Sequence, residues 1–315
     1  MSSIEPTSPV AVTGARGFIG RSVVRALSRA GVPVLEFVRG TPRDGEIEDD
    51  LTDVTRLAER FGEADVAAVC HCAWSGHPRS TGASHRAEIG TNITCTLDVA
   101  LACGLARVPH LVFLSSGGGR HTGLADSPAP PYGWSKSVAA GGVLATADSF
   151  GFSATVLRPT AVYGSGQDPA RLLGAVSVFA SRLLSGQPLE VLGSPDNRRD
   201  FLHVDDLAKL VVRCIELRLH GEYEVGGPEL VSIRQVVDAL YEVSGLIPEI
   251  VLTESTGIDP QVVQLDNQRI TEATGWIPIR RLTESLPEIL SAYIVQLGLT
   301  ERCAALLQRL AADAP

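Results

Sequence analysis

The chain has 315 residues, 44% of them hydrophobic and 20% charged, with a formal net charge of −9. That length can bury one large core plus a smaller lobe. The acidic balance excludes a general surface for nucleic acid or anionic membrane, so an anionic ligand must be met by local arginines and backbone N–H groups.

The start, MSSIEPTSP, lacks the basic and apolar regions of a signal peptide. No run of about 18 apolar residues predicts a membrane span. Six cysteines lie mostly in apolar runs, as reduced core residues of a cytoplasmic protein would. Cys70 and Cys72 in "CHCAW" offer too few ligands for zinc, so no metal is expected.

In chain order, "PVAVTG" predicts a strand, a glycine-rich turn follows, and "RSVVRALSRAG" predicts a helix closed by Gly31. "VPVLEFV" is the second strand, "DVTRLAERFG" a helix and "VAAVCHCA" an apolar strand. Residues 83–104 predict a long helix, "HLVFLSS" a strand, 132–151 a helix and "SATVLRPT" a strand. Alternation of this kind predicts right-handed βαβ units and a parallel sheet covered on both faces. After residue 165 the alternation weakens. One helix with short strand and turn signals is expected over 166–201, then the helix "HVDDLAKLVVRCIEL". "GEYEVGG" is a short strand able to rejoin the sheet, and three helices follow: "SIRQVVDALYEVSG", "TESLPEILSAYIVQLG" and "TERCAALLQRLAA". The expected fold is α/β: a Rossmann-type doubly wound parallel sheet with a smaller, mostly helical C-terminal substrate lobe. The two parts are expected to interleave, with 1–166 and 199–228 in the first and 167–198 and 229–315 in the second.

Three stretches carry chemistry. Gly14, Gly17 and Gly20 follow a strand and open a helix, the context in which such glycines serve a dinucleotide rather than an ordinary corner. They allow the tight turn, the approach of a pyrophosphate and the close packing of helix on strand. Tyr132 and Lys136 are four apart on a helix and share a face. A nearby ammonium favours a phenolate, so Tyr132 is a candidate proton donor or acceptor, and Lys136 can also hold ribose hydroxyls. Lysine occurs at only Lys136 and Lys209, so its use here is selective. Ser115 and Ser116 end a parallel strand, where a hydroxyl faces the ligand crevice.

Together these resemble the extended short-chain dehydrogenases/reductases of the NAD-dependent epimerase/dehydratase (sugar-nucleotide) branch, over nearly the whole chain. The markers are TGARGFIG, DDLTD, HCAW, Asn92, LSS, YGWSK, LRPTAVYG, RRDFLHVDD and TGWIP. The resemblance implies catalysis by Ser116, Tyr132 and Lys136. It implies cofactor contacts from Gly14, Arg16, Gly17, Phe18, Ile19 and Gly20 in the loop, and from Arg39, Asp50 and Leu51 beyond the second and third elements. Cys72, Ala73, Trp74, Asn92 and Pro159, with Tyr132 and Lys136, complete that set. Ser116, Gly117 and Arg199 are expected to meet a nucleotide-sugar substrate, Arg199 through its diphosphate. A homodimer is expected through the helices around 92–104 and 133–147.

Departures from the family pattern refine the reading. The place of the ribose-binding acid falls on Val38, followed by Arg39, with Glu36 inside the strand. Arg39, with Arg16 as a second charge, predicts NADP, with NAD as the alternative. Gly117 and Gly118 replace the Asp-Glu pair of dehydratases. The expected reaction is NADPH-dependent reduction of a 4-keto sugar nucleotide. A 4-epimerase holding NAD and a non-catalytic dinucleotide-binding regulator are the alternatives. His121 and the Gly/Ser/His-rich loop 74–85 are noted near the site.

Overall fold

The computed structural model describes residues 8–76, 83–117, 131–171, 174–254 and 260–312. His121, Gly118 and residues 77–82 of the 74–85 loop lie outside them. In chain order the first half runs β1 (Val10–Thr13), α1 (Phe18–Arg29), β2 (Val34–Val38), β3 (Glu46–Glu48), α2 (Val54–Glu63), β4 (Ala68–His71), α3 (Ala83–Leu105), β5 (His110–Leu114), α4 (Pro131–Phe150) and β6 (Ser153–Pro159). The second half runs β7 (Val162–Tyr163), α5 (Ala175–Ser185), β8 (Leu189–Leu192), β9 (Arg198–Asp200), β10 (Leu202–His203), α6 (Val204–Leu217), β11 (Gly221–Val225), β12 (Leu230–Ser232) and α7 (Ile233–Ser244). It ends with β13 (Ile250–Thr253), β14 (Val262–Val263), α8 (Gln268–Thr274), α9 (Leu282–Gln296) and α10 (Ala304–Ala312).

The chain forms two units. The first comprises Met1–Pro159, Leu207–Val225 and Asp266–Ile277. It holds a seven-stranded sheet in the order β11-β6-β5-β4-β1-β2-β3. Its pairings are parallel throughout. The reversal of direction between β1 and β4 makes it doubly wound, and ligands of such sheets gather at that point, beyond the strands' C-terminal ends. The central strands β1, β4 and β5 are buried along their whole length, which is why they read as continuous apolar runs. The core packs Leu57, Val69, Leu111, Phe113 and Val143 with an edge-to-face pair, Phe37 on Phe61, 5.6 Å apart. "GEYEVGG" does rejoin the sheet, as β11 beside β6.

Two elements of this unit are absent from the sequence reading. β3 is a three-residue strand, "EIE", too short to show a period. The seven-residue α8 was left with the other lobe. Its placement comes from tertiary partners: Arg213 of α6 donates to the Thr274 carbonyl at 3.2 Å.

The second unit comprises Thr160–Asp206, Gly226–Leu265 and Pro278–Pro315. Helices α5, α7, α9 and α10 pack around Tyr163, Phe179, Leu240, Ile289 and Tyr293. Ser232 opens α7 with a reciprocal cap: its hydroxyl accepts from the Gln235 amide while the Gln235 side chain accepts from the Ser232 amide. Small sheets of two or three short strands, β10-β7, β12-β9-β14 and β13-β8, complete the unit. The acids of "RRDFLHVDD" serve this framework. Asp200 accepts from Thr160 and, at 2.7 Å, from the Leu265 amide. Asp206, buried, accepts from the amides of Ile279 and Arg280 at 2.9 and 2.8 Å.

Candidate active site

The glycine loop joins β1 to α1. Gly14 has φ +68°, and a Cβ there would stand 2.7 Å from the backbone N and Cα of Ala73. A Cβ on Gly20 would stand 2.2 Å from the Gly14 carbonyl oxygen, so the helix can lie on the loop only without one. Gly17 caps α1 and has no side chain with which to bond the helix's first N–H groups. A cradle of bare backbone at a helix N-terminus fits the pyrophosphate of a dinucleotide.

Behind the loop lies a buried polar chain. Thr13 Oγ1 meets His71 Nδ1 at 2.7 Å, and His71 Nε2 meets Thr96 Oγ1 at 3.1 Å. Burial pushes His71 down to about 3, so it is a neutral strut between β1, β4 and α3. It stacks on Phe113.

At the end of β5 the two serines divide their work. Ser115 is buried and its hydroxyl donates to the Lys136 carbonyl at 3.2 Å. Ser116 is half-buried, and its carbonyl accepts from Arg158 at 3.2 Å. Arg158 is itself buried, paired with Glu222 of β11, and also donates to Ser137 of α4 at 3.2 Å. It thus ties β5, α4 and β11 together beside Ser116. The sequence reading assigned Arg158 no role; its only signal was a charge inside the apolar run "SATVLRP".

Tyr132 and Lys136 share a face of α4, but the lysine does not depress the tyrosine as expected. Burial raises Tyr132 to about 12 and lowers Lys136 to about 7. Lys136 is buried; its Nζ donates to the Leu114 carbonyl at 2.6 Å and lies over the Trp74 ring, 3.8 Å from the centroid. Tyr132 is therefore held as a protonated phenol, able to give a proton.

Several expected cofactor contacts have other partners. Arg16 is bound by Glu46 of β3, through Nε at 2.9 Å and through its terminal nitrogen, and donates to the Thr41 carbonyl. The hydrogen bond from Arg16 holds Glu46 down to about 2. Arg16, expected as a second charge for a 2′-phosphate, is therefore matched by a carboxylate. The amide of Asn92 is turned onto Ser75: Oδ1 accepts from its N and Oγ at 2.9 and 3.1 Å, and Nδ2 donates to its carbonyl at 2.6 Å. Asn92 positions the segment after β4. Leu51, at φ +62°, sends its side chain into the core, and its amide is held by buried Asp49. Asp50 is exposed and paired with Arg56. Cys72 sits 3.5 Å from Cys70, both as free thiols. Val38 is buried at the end of β2, and Arg39 is exposed just beyond it. Pro159 closes β6, and Gly117 is buried after Ser116. Arg199 belongs to the second unit, where Nη1 donates to the carbonyls of Arg198 and Pro260 at 2.7 and 2.9 Å.

The chain is similar to known proteins along most of its length. Residues 10–226 match the family model for the NAD dependent epimerase/dehydratase family. A putative UDP-glucose 4-epimerase of Methanocaldococcus jannaschii is 24% identical, covering 90% of this chain and 97% of its own length. The dTDP-6-deoxy-L-talose 4-dehydrogenase (NAD(P)(+)) of Kitasatospora kifunensis is 28% identical, covering 90% and 95%. The UDP-glucose 4-epimerase of Thermotoga maritima, solved with UDP-glucose, superposes with a TM-score of 0.82 at 26% identity, covering 92% and 99%. The glycine loop and the doubly wound sheet agree with these matches: the chain belongs to the NAD-dependent epimerase/dehydratase family, whose members are NAD(P)-dependent enzymes of nucleotide sugars.

Proposed function

We propose that the chain reduces a 4-keto sugar nucleotide with NADPH. The observation that carries this reading is the end of β2. Buried Val38 offers no carboxylate to a ribose, and exposed Arg39 offers a guanidinium fork suited to a 2′-phosphate. When bound, the nicotinamide supplies the hydride. Tyr132, protonated up to about 12, gives its proton to the carbonyl oxygen as that oxygen gains charge. The Ser116 hydroxyl orients the same oxygen, and Lys136 holds the cofactor ribose. Arg199 takes the substrate diphosphate. Gly117, directly after Ser116, has no side chain for the acid-base step of a dehydration.

The second reading, a 4-epimerase with resident NAD, is favoured by one observation: Glu46 beside Arg16 would repel a 2′-phosphate. The test is to titrate NADPH and NADH into the purified chain and to assay a 4-keto sugar nucleotide with each. Preference for NADPH with net reduction supports the reductase. NAD released on denaturation, with interconversion of C4 epimers, supports the epimerase. Binding without turnover would leave a dinucleotide-binding regulator.

The enzyme is proposed to work in the cytoplasm as a homodimer. Helices α3 and α4 leave Leu101, Leu105, Trp134 and Val138 exposed at 36–57%. Exposed apolar side chains on neighbouring helices call for a cover, and a second copy of the same pair supplies it.

A further inference from the structure

Lys136 is enclosed by three groups. The Leu114 carbonyl takes one donor at 2.6 Å, the Phe113 ring lies 5.0 Å from Nζ, and the Trp74 ring lies 3.8 Å from it. Leu114 and Phe113 are buried residues of the central strand β5. Trp74 is partly exposed. An oxygen accepting from an ammonium stands about 2.8 Å from the nitrogen, so none fits between Nζ and the indole face, and a ligand hydroxyl on that side of Lys136 must displace the indole.

Trp74 is placed by its neighbours on both sides. Ala73 is the residue against which Gly14 packs, so Trp74 follows directly on the floor of the glycine loop. Ser75 is clamped to Asn92 by three hydrogen bonds, two donated by Ser75 and one by the Asn92 amide. The indole edge rests on Tyr132 at 6.2 Å and 79°, and tilts against Phe113 at 6.2 Å. With the backbone fixed on either side, the freedom left to Trp74 is rotation of its side chain.

We propose that Trp74 is a positioning residue for Lys136: its indole face seats the ammonium, and it turns aside when the cofactor ribose takes the lysine. The seat gives a buried cation a second partner beside the Leu114 carbonyl. It also makes cofactor binding a competition, in which the ribose must displace a cation–π contact. This second half rests on the reading that Lys136 holds the cofactor ribose.

The chain's two lysines make a direct test available. Protein labelled with 13C-lysine gives one Cε signal for Lys136 and one for Lys209. The Lys136 signal is expected upfield, shifted by the indole ring current, and in Trp74→Ala it falls back to the smaller shift that Phe113 supplies. Saturating NADPH or NAD is expected to release the shift in the wild type. Cofactor affinity, measured by calorimetry, is expected to tighten about 2–30-fold in Trp74→Ala, with Trp74→Phe between, because a desolvated cation–π contact is lost from the competing state. No upfield signal, or one that Trp74→Ala leaves in place, overturns the seat. A shift that survives saturation, or affinity that weakens in both variants, overturns the competition. If neither cofactor binds while the shifted signal stands, the cofactor reading falls and the seat remains.

Discussion

Arg158 Nη1 donates to the main-chain carbonyl of Ser116 at 3.2 Å, from a guanidinium that is buried and paired with Glu222. A residue of β6 thereby fixes the chain on which the serine hydroxyl is mounted, and through Ser137 fixes α4 as well. Removing Arg158 takes from Glu222 its guanidinium partner. Arg158→Ala is expected to lose about 3–5 kcal/mol of stability, whereas the double variant Arg158→Met/Glu222→Met loses far less. Urea denaturation of the three proteins measures this. Equal losses in single and double variants would mean that packing, not the charge pair, is what Arg158 supplies.

Tyr132→Phe removes the donated proton and nothing else from the site. Turnover is expected to fall about 10²–10⁴-fold with cofactor affinity nearly unchanged. Steady-state kinetics with a parallel cofactor titration separate the two; turnover close to wild type would end the assignment.

Arg39→Ala is expected to erase the preference for NADPH over NADH. A charge-assisted contact contributes about 1.5–3 kcal/mol, or about 10–150-fold in affinity. Fluorescence titration of both reduced cofactors reads the ratio. A preference that survives the substitution would assign the phosphate to another residue, and equal affinities in the wild type would favour the epimerase.

Acid should destabilise the fold before its carboxylates protonate. Burial lowers His71 to about 3 and His110 to about 4, and shifts His203 downward too. Below about pH 6.5 the unfolded chain binds protons that the folded chain refuses. Stability is therefore full above that pH and falls as pH drops towards 4, by about 1.4 kcal/mol per pH unit for each such histidine. His110→Gln is expected to reduce that slope by about one proton in denaturation series run from pH 7 to pH 4. An unchanged slope would show that His110 is protonated in the fold.

The exposed apolar residues of α3 and α4 predict association. Val138→Glu is expected to convert a dimer to a monomer at micromolar concentration, since it places a charge in the centre of the covered face. Sedimentation of wild type and variant decides the matter; a monomeric wild type would leave the two helices unpartnered.

The sequence by itself determined the parts whose information is local. Continuous apolar runs marked β1, β4, β5 and β6, because strands buried on both faces need no alternation. Gly14 and Gly20 were legible because a strand, a turn and a helix follow one another within 20 residues. Tyr132 and Lys136 were legible because helical spacing brings them together without help from the rest of the chain. What only the tertiary structure decided are partnerships across long separations. Arg16 was read as a second positive charge, and β3 brings Glu46 to it. Asn92 was read as a cofactor contact, and its amide is bonded to Ser75. Lys136 was expected to act on Tyr132 and instead rests on Trp74, 62 residues away in the chain and 3.8 Å away in space. A side chain's neighbour along the helix is set by backbone geometry, whereas its neighbour across the core is set by how the sheet closes.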